Sequence, residues 1–188
     1  PFVYATAIDN GYSVSKQLLN QPLVLRVLNS DGSWEKWMPR NYDGTTSGLT
    51  TLREGIRRSI NLVAVRVVKE LVPALEVKNM AERMGITTDI RAVDAIALGT
   101  SEVYLLEVVN AYSAFSNKGL LSQPYGITRV DDRYGNTIKT YFPDREEVLR
   151  EESAYLMTSM LQTVMDKGTG GSARWRHNFY HPAGGKTG

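Results

Sequence analysis

Apolar positions along the chain recur mostly at the three-to-four-residue spacing of helices, interrupted by two stretches of extended character. Residues 1–9 read as a helix already under way. Asn10-Gly11 reads as its stop, because glycine easily takes the left-handed conformation that ends helices. Segments 23–28 and 33–37 flank Asn29-Ser30-Asp31-Gly32 and predict a hairpin about an Asp-Gly turn. Residues 38–44 bring Pro39, Asn41 and Gly44 close together, which predicts loop. From Thr51 the period becomes helical. Thr51 and Glu54 form a T-x-x-E capping box, in which hydroxyl and carboxylate each satisfy a free amide of the first turn. Leu52, Ile56 and Ile60 follow at four-residue spacing, the mark of one buried face.

A break is expected at Ser59 and Asn61, whose side chains compete for backbone hydrogen bonds, with Asn61 capping a second helix over 62–68. Pro73 suits the first turn of the next helix and Gly85 its end, with Leu75, Met80 and Met84 facing inward. Thr100 or Ser101 is expected to start a helix over 103–116, closed by Gly119. Residues 125–130 and 137–141 predict a second hairpin, and a last helix runs over 151–167 to Gly168. No period of 20–50 residues recurs to suggest a solenoid. The pattern predicts an α-rich lobe of an α/β protein with two small β excursions.

The chain has 188 residues, 42% of them hydrophobic, with 22 Lys plus Arg against 20 Asp plus Glu. That is one globular domain or a large part of one. A net charge of +2 with both signs interspersed argues against a nucleic-acid or anionic-membrane surface. Zero cysteines exclude disulfides, thiolate metal sites and a cysteine nucleophile, and fit any compartment. No apolar run of about 18 residues occurs. The chain starts in mid-helix without Met and stops on a Gly-rich approach to a strand, so it is expected to be a piece of a longer protein.

Four stretches carry candidate chemistry. Ser59-Ile60-Asn61 places a hydroxyl and an amide at a helix break, offering a proton route and an amide partner; Lys186-Thr187-Gly188 offers an ammonium and a hydroxyl that can hold a carboxylate. Together they outline an acyl-transfer cleft without its nucleophile. Ser13-Val14-Ser15-Lys16 spells S-x-x-K, but that chemistry needs Ser and Lys on adjacent helical turns, and these residues follow the Gly11 stop in what reads as exposed loop. His177 and His181 have metal-like spacing, opposed by Pro182 and the missing third ligand. The surrounding Arg174 to His181 reads as a loop packing its Trp and Phe. Gly185-Lys186-Thr187 resembles the end of a phosphate loop, yet the required first glycine would fall on Tyr180, which demotes nucleotide hydrolysis.

The order and surroundings of these motifs resemble the transpeptidase domain of class A penicillin-binding proteins, a family marked by S-x-x-K, an S-x-N triplet and K-T-G. Residues 1–9 resemble the helix directly after the family's S-x-x-K, and Asn41-Tyr42-Asp43-Gly44 resembles its N-Y-D-G loop. Thr51 to Ile56 lead into Ser59-Ile60-Asn61 as they do there. Ala97-Leu98-Gly99-Thr100, the stretch 106–112, and Gly168-Thr169-Gly170 ahead of Gly185-Lys186-Thr187-Gly188 match later landmarks. The resemblance spans nearly all 188 residues and makes Ser13 and Lys16 coincidental.

The resemblance implies an α/β fold of penicillin-binding-protein and serine β-lactamase type: a partial transpeptidase domain over 1–188, mostly its helical lobe, with most of the antiparallel sheet outside the chain. It implies a parent enzyme that cross-links peptidoglycan stem peptides ending in D-Ala-D-Ala through an acyl-serine and is acylated by β-lactams, with no cofactor or metal and no nucleic acid. The nucleophilic Ser and its Lys would precede Pro1, leaving the fragment inactive alone. Ser59 would relay a proton, Asn61 would bind the substrate amide, Lys186 and Thr187 the terminal carboxylate, and Gly188 would admit the substrate backbone. The parent is expected outside the cytoplasmic membrane, anchored and carrying a glycosyltransferase domain; the isolated fragment could dimerise. The alternative is a non-catalytic interaction module derived from the same fold.

Overall fold

A computed structural model describes residues 1–28 and 32–187. The Asn29 to Asp31 part of the expected turn and the expected substrate-admitting Gly188 lie outside the described residues. The centre of the molecule is α1 (Phe2–Asp9), whose Val3 to Ile8 are all buried. Its sequence has no polar stripe, so it can be stable only when covered on every side. Two later helices provide much of the cover: α4 (Ala74–Arg83) and α6 (Glu151–Lys167), both packed against it. At its end Asp9 accepts hydrogen bonds from Arg83 (2.9 Å) and Arg150 (3.3 Å), which joins α1, α4 and the start of α6. The chain leaves α1 at Gly11, in the left-handed region as expected.

The capping box at Thr51 forms by half. Thr51 Oγ1 accepts the Glu54 amide at 3.1 Å and starts α2 (Leu52–Arg57). The Glu54 carboxylate instead binds Arg57 through Nε (2.7 Å) and Nη2 (2.5 Å), a stronger charged partner than the Thr51 amide. Leu52, Ile56 and Ile60 are buried, as their spacing predicts. α3 (Asn61–Arg66) follows and continues into a π-helical turn, Val67–Leu71. Asn61 is the first helical residue and not the cap. The free amide of Leu62 is accepted by Asn41 Oδ1 at 3.1 Å, so the cap comes from a distant loop.

In α4 and at its C-cap, Met80 and Met84 face inward, but Leu75 is 58% exposed. The buried face runs through Val77, Met80 and Ala81; Leu75 lies two residues before Val77, about 200° around the helix. A 3₁₀ turn, Asp94–Leu98, ends at left-handed Gly99, and α5 (Leu105–Ser116) begins only after Tyr104, without a side-chain cap from Thr100 or Ser101. The last long helix keeps its expected bounds. The stretch after it holds α7 (Ser172–Trp175), and Trp175 is exposed, contrary to the expected packing.

Antiparallel pairs decorate the helices. The two expected hairpins are β2 (Leu25–Leu28) with β3 (Trp34–Trp37), and β6 (Arg129–Asp131) with β7 (Thr137–Thr140). Two further pairs had no local signal: β1 (Gln17–Leu19) with β4 (Leu49–Thr51), and β5 (Leu120–Ser122) with β8 (Arg145–Glu147). The first matters for function, because it delivers the chain directly into the start of α2. Among the described residues no helix is long and apolar enough to cross a membrane.

Candidate active site

The α2–α3 junction is a tight turn. Ser59 N–H donates to Ile56 C=O at 3.2 Å and Ile60 N–H to Gly55 C=O at 2.9 Å. Closing it puts Ser59 at φ 55°, a left-handed conformation uncommon for a residue with a side chain. The turn also needs Gly55, where a Cβ would lie 2.7 Å from Val63 Cγ1 and 2.8 Å from the Tyr4 hydroxyl. The strained turn holds the Ser59 hydroxyl out from the helix ends, where Lys186 Nζ donates to it at 2.7 Å across 127 residues of sequence.

Two close approaches bring the C-terminal segment there. Gly168 ends α6 so near α2 that a Cβ would sit 2.3 Å from the Arg57 carbonyl oxygen, and that carbonyl accepts the Thr169 amide at 3.2 Å. Thr187 Oγ1 then donates to Thr169 Oγ1 at 2.8 Å, so the G-T-G and K-T-G segments meet. Between them Arg174 orders the loop. Its guanidinium pairs with Asp166 (2.8 Å) and donates to the carbonyls of Phe179 (2.7 Å) and His181 (2.6 Å).

Ser59, Asn61, Lys186 and Thr187 supply polar groups to one cavity of about 420 Å³, whose apolar walls include Ile86, Val108 and Tyr112. Burial in this setting lowers the Lys186 ammonium from its ordinary lysine value. No carboxylate pairs with it among the described residues; its second bond goes to the Thr187 carbonyl at 2.6 Å. Tyr4 lines the same cavity with a buried hydroxyl that has no partner among the described residues, and burial pushes its pKa up. Asn61 is oriented from outside, its Nδ2 donating to the Arg40 carbonyl at 2.9 Å. Chemically, the arrangement sets a partly buried ammonium against a hydroxyl beside an amide, with a further hydroxyl for an anionic group.

Four of the sequence-derived candidates, Ser59, Asn61, Lys186 and Thr187, thus share one cavity. Ser13 and Lys16 are not among its lining residues. They sit exposed in a turn where Lys16 N–H donates to the Ser13 carbonyl at 2.9 Å. His177 and His181 follow α7 in irregular chain and share no helix face. Residues that pattern reading undervalued are Asn41, Thr169 and Tyr4. The N-Y-D-G and G-T-G motifs were the available signals for two of them.

The penicillin-binding protein transpeptidase domain model matches residues 1–188. Penicillin-binding protein 1A of Rickettsia typhi is 30% identical over 198 aligned residues, covering 92% of this chain. The chain spans about a quarter of that relative's length, 24%. Among solved structures, penicillin-binding protein 1A from Haemophilus influenzae superposes with a TM-score of 0.80 at 25% identity, over 90% of this chain and 29% of that one. Penicillin-binding protein A from M. tuberculosis, solved as an imipenem acyl-enzyme complex, gives 0.74 at 16% identity over 88% of this chain and 42% of its own, a likeness of fold.

Proposed function

The chain belongs to the penicillin-binding protein transpeptidase domain family along its full length, and we propose that it forms the helical lobe and two active-site walls of a serine D,D-transpeptidase that cross-links peptidoglycan. The observation that carries this reading is the 2.7 Å contact between Lys186 and Ser59 in a cavity shared with Asn61 and Thr187. Pro1 also lines that cavity. A nucleophilic serine and its lysine in the segment before Pro1, where the family resemblance puts them, would therefore face Ser59.

In this mechanism the serine oxygen attacks the penultimate carbonyl of a stem peptide ending in D-alanyl-D-alanine. A C–O bond forms, the C–N bond to the terminal D-alanine breaks, and the departing amine takes a proton passed through Ser59. Lys186, its charge poorly solvated, polarises that hydroxyl. Asn61 holds the amide of the acyl half, and Lys186 with Thr187 grips the terminal carboxylate. An amine from a second stem then attacks the ester, and the serine is restored. β-Lactams, which carry the same carbonyl and carboxylate, would stop at the ester. The site lies outside the cytoplasmic membrane in this reading, since that is where the polymer is cross-linked.

Labelling with a fluorescent penicillin tests it, run on the 188-residue chain beside a longer version that adds the residues on both sides. Labelling of the longer chain alone is expected, with loss on Lys186→Ala. Two folded chains that both stay unlabelled would overturn the reading.

A further inference from the structure

The hairpin of β2 and β3 has two faces of opposite character. Side chains alternate between the faces of a strand, so Leu25, Val27, Glu35 and Trp37 share one face, and its three apolar members are half-buried. Arg26, Trp34 and Lys36 share the other, and all three are exposed, Trp34 by 68%. Just outside the ladder the same alternation adds Val24 and Met38, which are 56% and 53% exposed. This outer face therefore carries large apolar side chains at both ends and two cations between them.

The cations stand where they weaken the hairpin. Arg26 and Lys36 are register partners, directly opposite across the pair, and like charges so placed repel. Neither side chain has a hydrogen-bond or ion-pair partner among the described residues, and exposed Arg40, just beyond β3, has none either. A two-stranded ribbon is marginally stable at best. An unrelieved cation pair beside an uncovered Trp is the kind of local conflict that marks a binding face. Arg26 and Lys36 are ten positions apart in sequence. The whole-chain charge of +2, which argues against an anionic surface, does not show that the register sets them side by side.

The shape of the face selects its partner. None of these residues lines either of the two cavities beside Ser59, and a two-stranded ribbon offers a flat surface and no pocket. Cations flanked by Trp, Met and Val on a flat face match the boundary layer of a membrane, where phosphates lie outside the acyl chains and Trp rings sit at headgroup level. We propose that the outer face of the β2–β3 hairpin docks on an anionic lipid surface. Arg26 and Lys36 take lipid phosphates, whose charge removes their mutual repulsion, and Trp34, Val24 and Met38 enter the layer between headgroups and acyl chains. Two cations at about a fivefold gain each make this a weak, reversible attachment. It does not depend on the transpeptidase reading.

The test uses the longer chain described above, in a version with no membrane-spanning segment, whose cooperative unfolding verifies its fold. It is mixed with vesicles of phosphatidylcholine alone or with about 30% phosphatidylglycerol, and bound protein is measured by cosedimentation. Binding is expected to the anionic vesicles only, with a blue shift of tryptophan emission, and it is lost as salt rises from about 0.1 M to about 1 M. Arg26→Gln and Lys36→Gln are each expected to weaken binding about fivefold. Each also relieves the cross-strand repulsion, so neither lowers the unfolding midpoint, which separates loss of binding from loss of fold. Trp34→Ser is expected to remove the blue shift and weaken binding about tenfold. Equal binding to both kinds of vesicle, binding to neither, or anionic binding unmoved by all three substitutions overturns the proposal. Binding of soluble poly-glutamate but not of vesicles also overturns it, and transfers the face to an acidic protein partner.

Discussion

Ser59 does two jobs that conflict. Its hydroxyl must meet Lys186, and its backbone must turn left-handed between two helices. Serine with φ 55° costs energy that glycine would not, and such strain is tolerated where the side chain is needed. Ser59→Ala and Ser59→Gly separate the two roles. Both lose the hydroxyl and should lose penicillin acylation alike, whereas the glycine variant should be the more stable by about 1 kcal/mol in chemical denaturation. Equal stabilities would remove the strain argument. The pairing itself was legible as two complementary triplets, Ser59-Ile60-Asn61 and Lys186-Thr187-Gly188, but the backbone strain was not. Nothing in the local pattern says that a polar residue between helices turns left-handed when it is serine.

The element that orients Asn61 is α3, and its start depends on a residue 21 positions away. Asn41 accepts the Leu62 amide and donates to buried Asn20 and to the Thr45 carbonyl, so one side chain ties the helix to the loop. Asn41→Ala removes a helix cap and leaves a polar atom of Asn20 without its donor. The expected cost is about 2 kcal/mol, read by denaturant unfolding, with weaker penicillin acylation as Asn61 loses its frame. No change in either would mean that α3 is held by packing alone. Elements bounded by local chemistry, such as Thr51 before α2 and Gly168 after α6, could be read from sequence. The pairs β1–β4 and β5–β8 could not, because three-residue strands separated by more than 20 residues carry no local period. Asn61 looked like a cap by composition; the cap was supplied by tertiary contact instead.

At the scale of the molecule, carboxylates join the helices that frame the cavity. Burial works against ionising Asp9, but hydrogen bonds from Ser153, Arg150 and Arg83 outweigh it and leave the carboxyl below its ordinary range. Glu107, on α5, is pulled down to about 2 by the Thr87 and Thr88 hydroxyls. A carboxyl depressed by folding stabilises fully above its unfolded pKa, roughly 4, and this is lost as pH falls through the folded value. Stability should therefore decline steadily from about pH 4 downward, and Glu107→Gln should flatten that decline toward pH 2; an unchanged slope would contradict it. Fold class and family could be read from motif order. The apolar walls that Ile86, Val108 and Tyr112 give the cavity could not, since they come from separate stretches of chain. In the proposed function Ser59, Asn61, Lys186 and Thr187 line an acyl-transfer site. The most direct measurement is a crystal structure of the longer protein acylated by a penicillin. The penicillin carboxylate is expected against Thr187 and Lys186 and its side-chain amide against Asn61. An acyl group seated away from those four residues would contradict it.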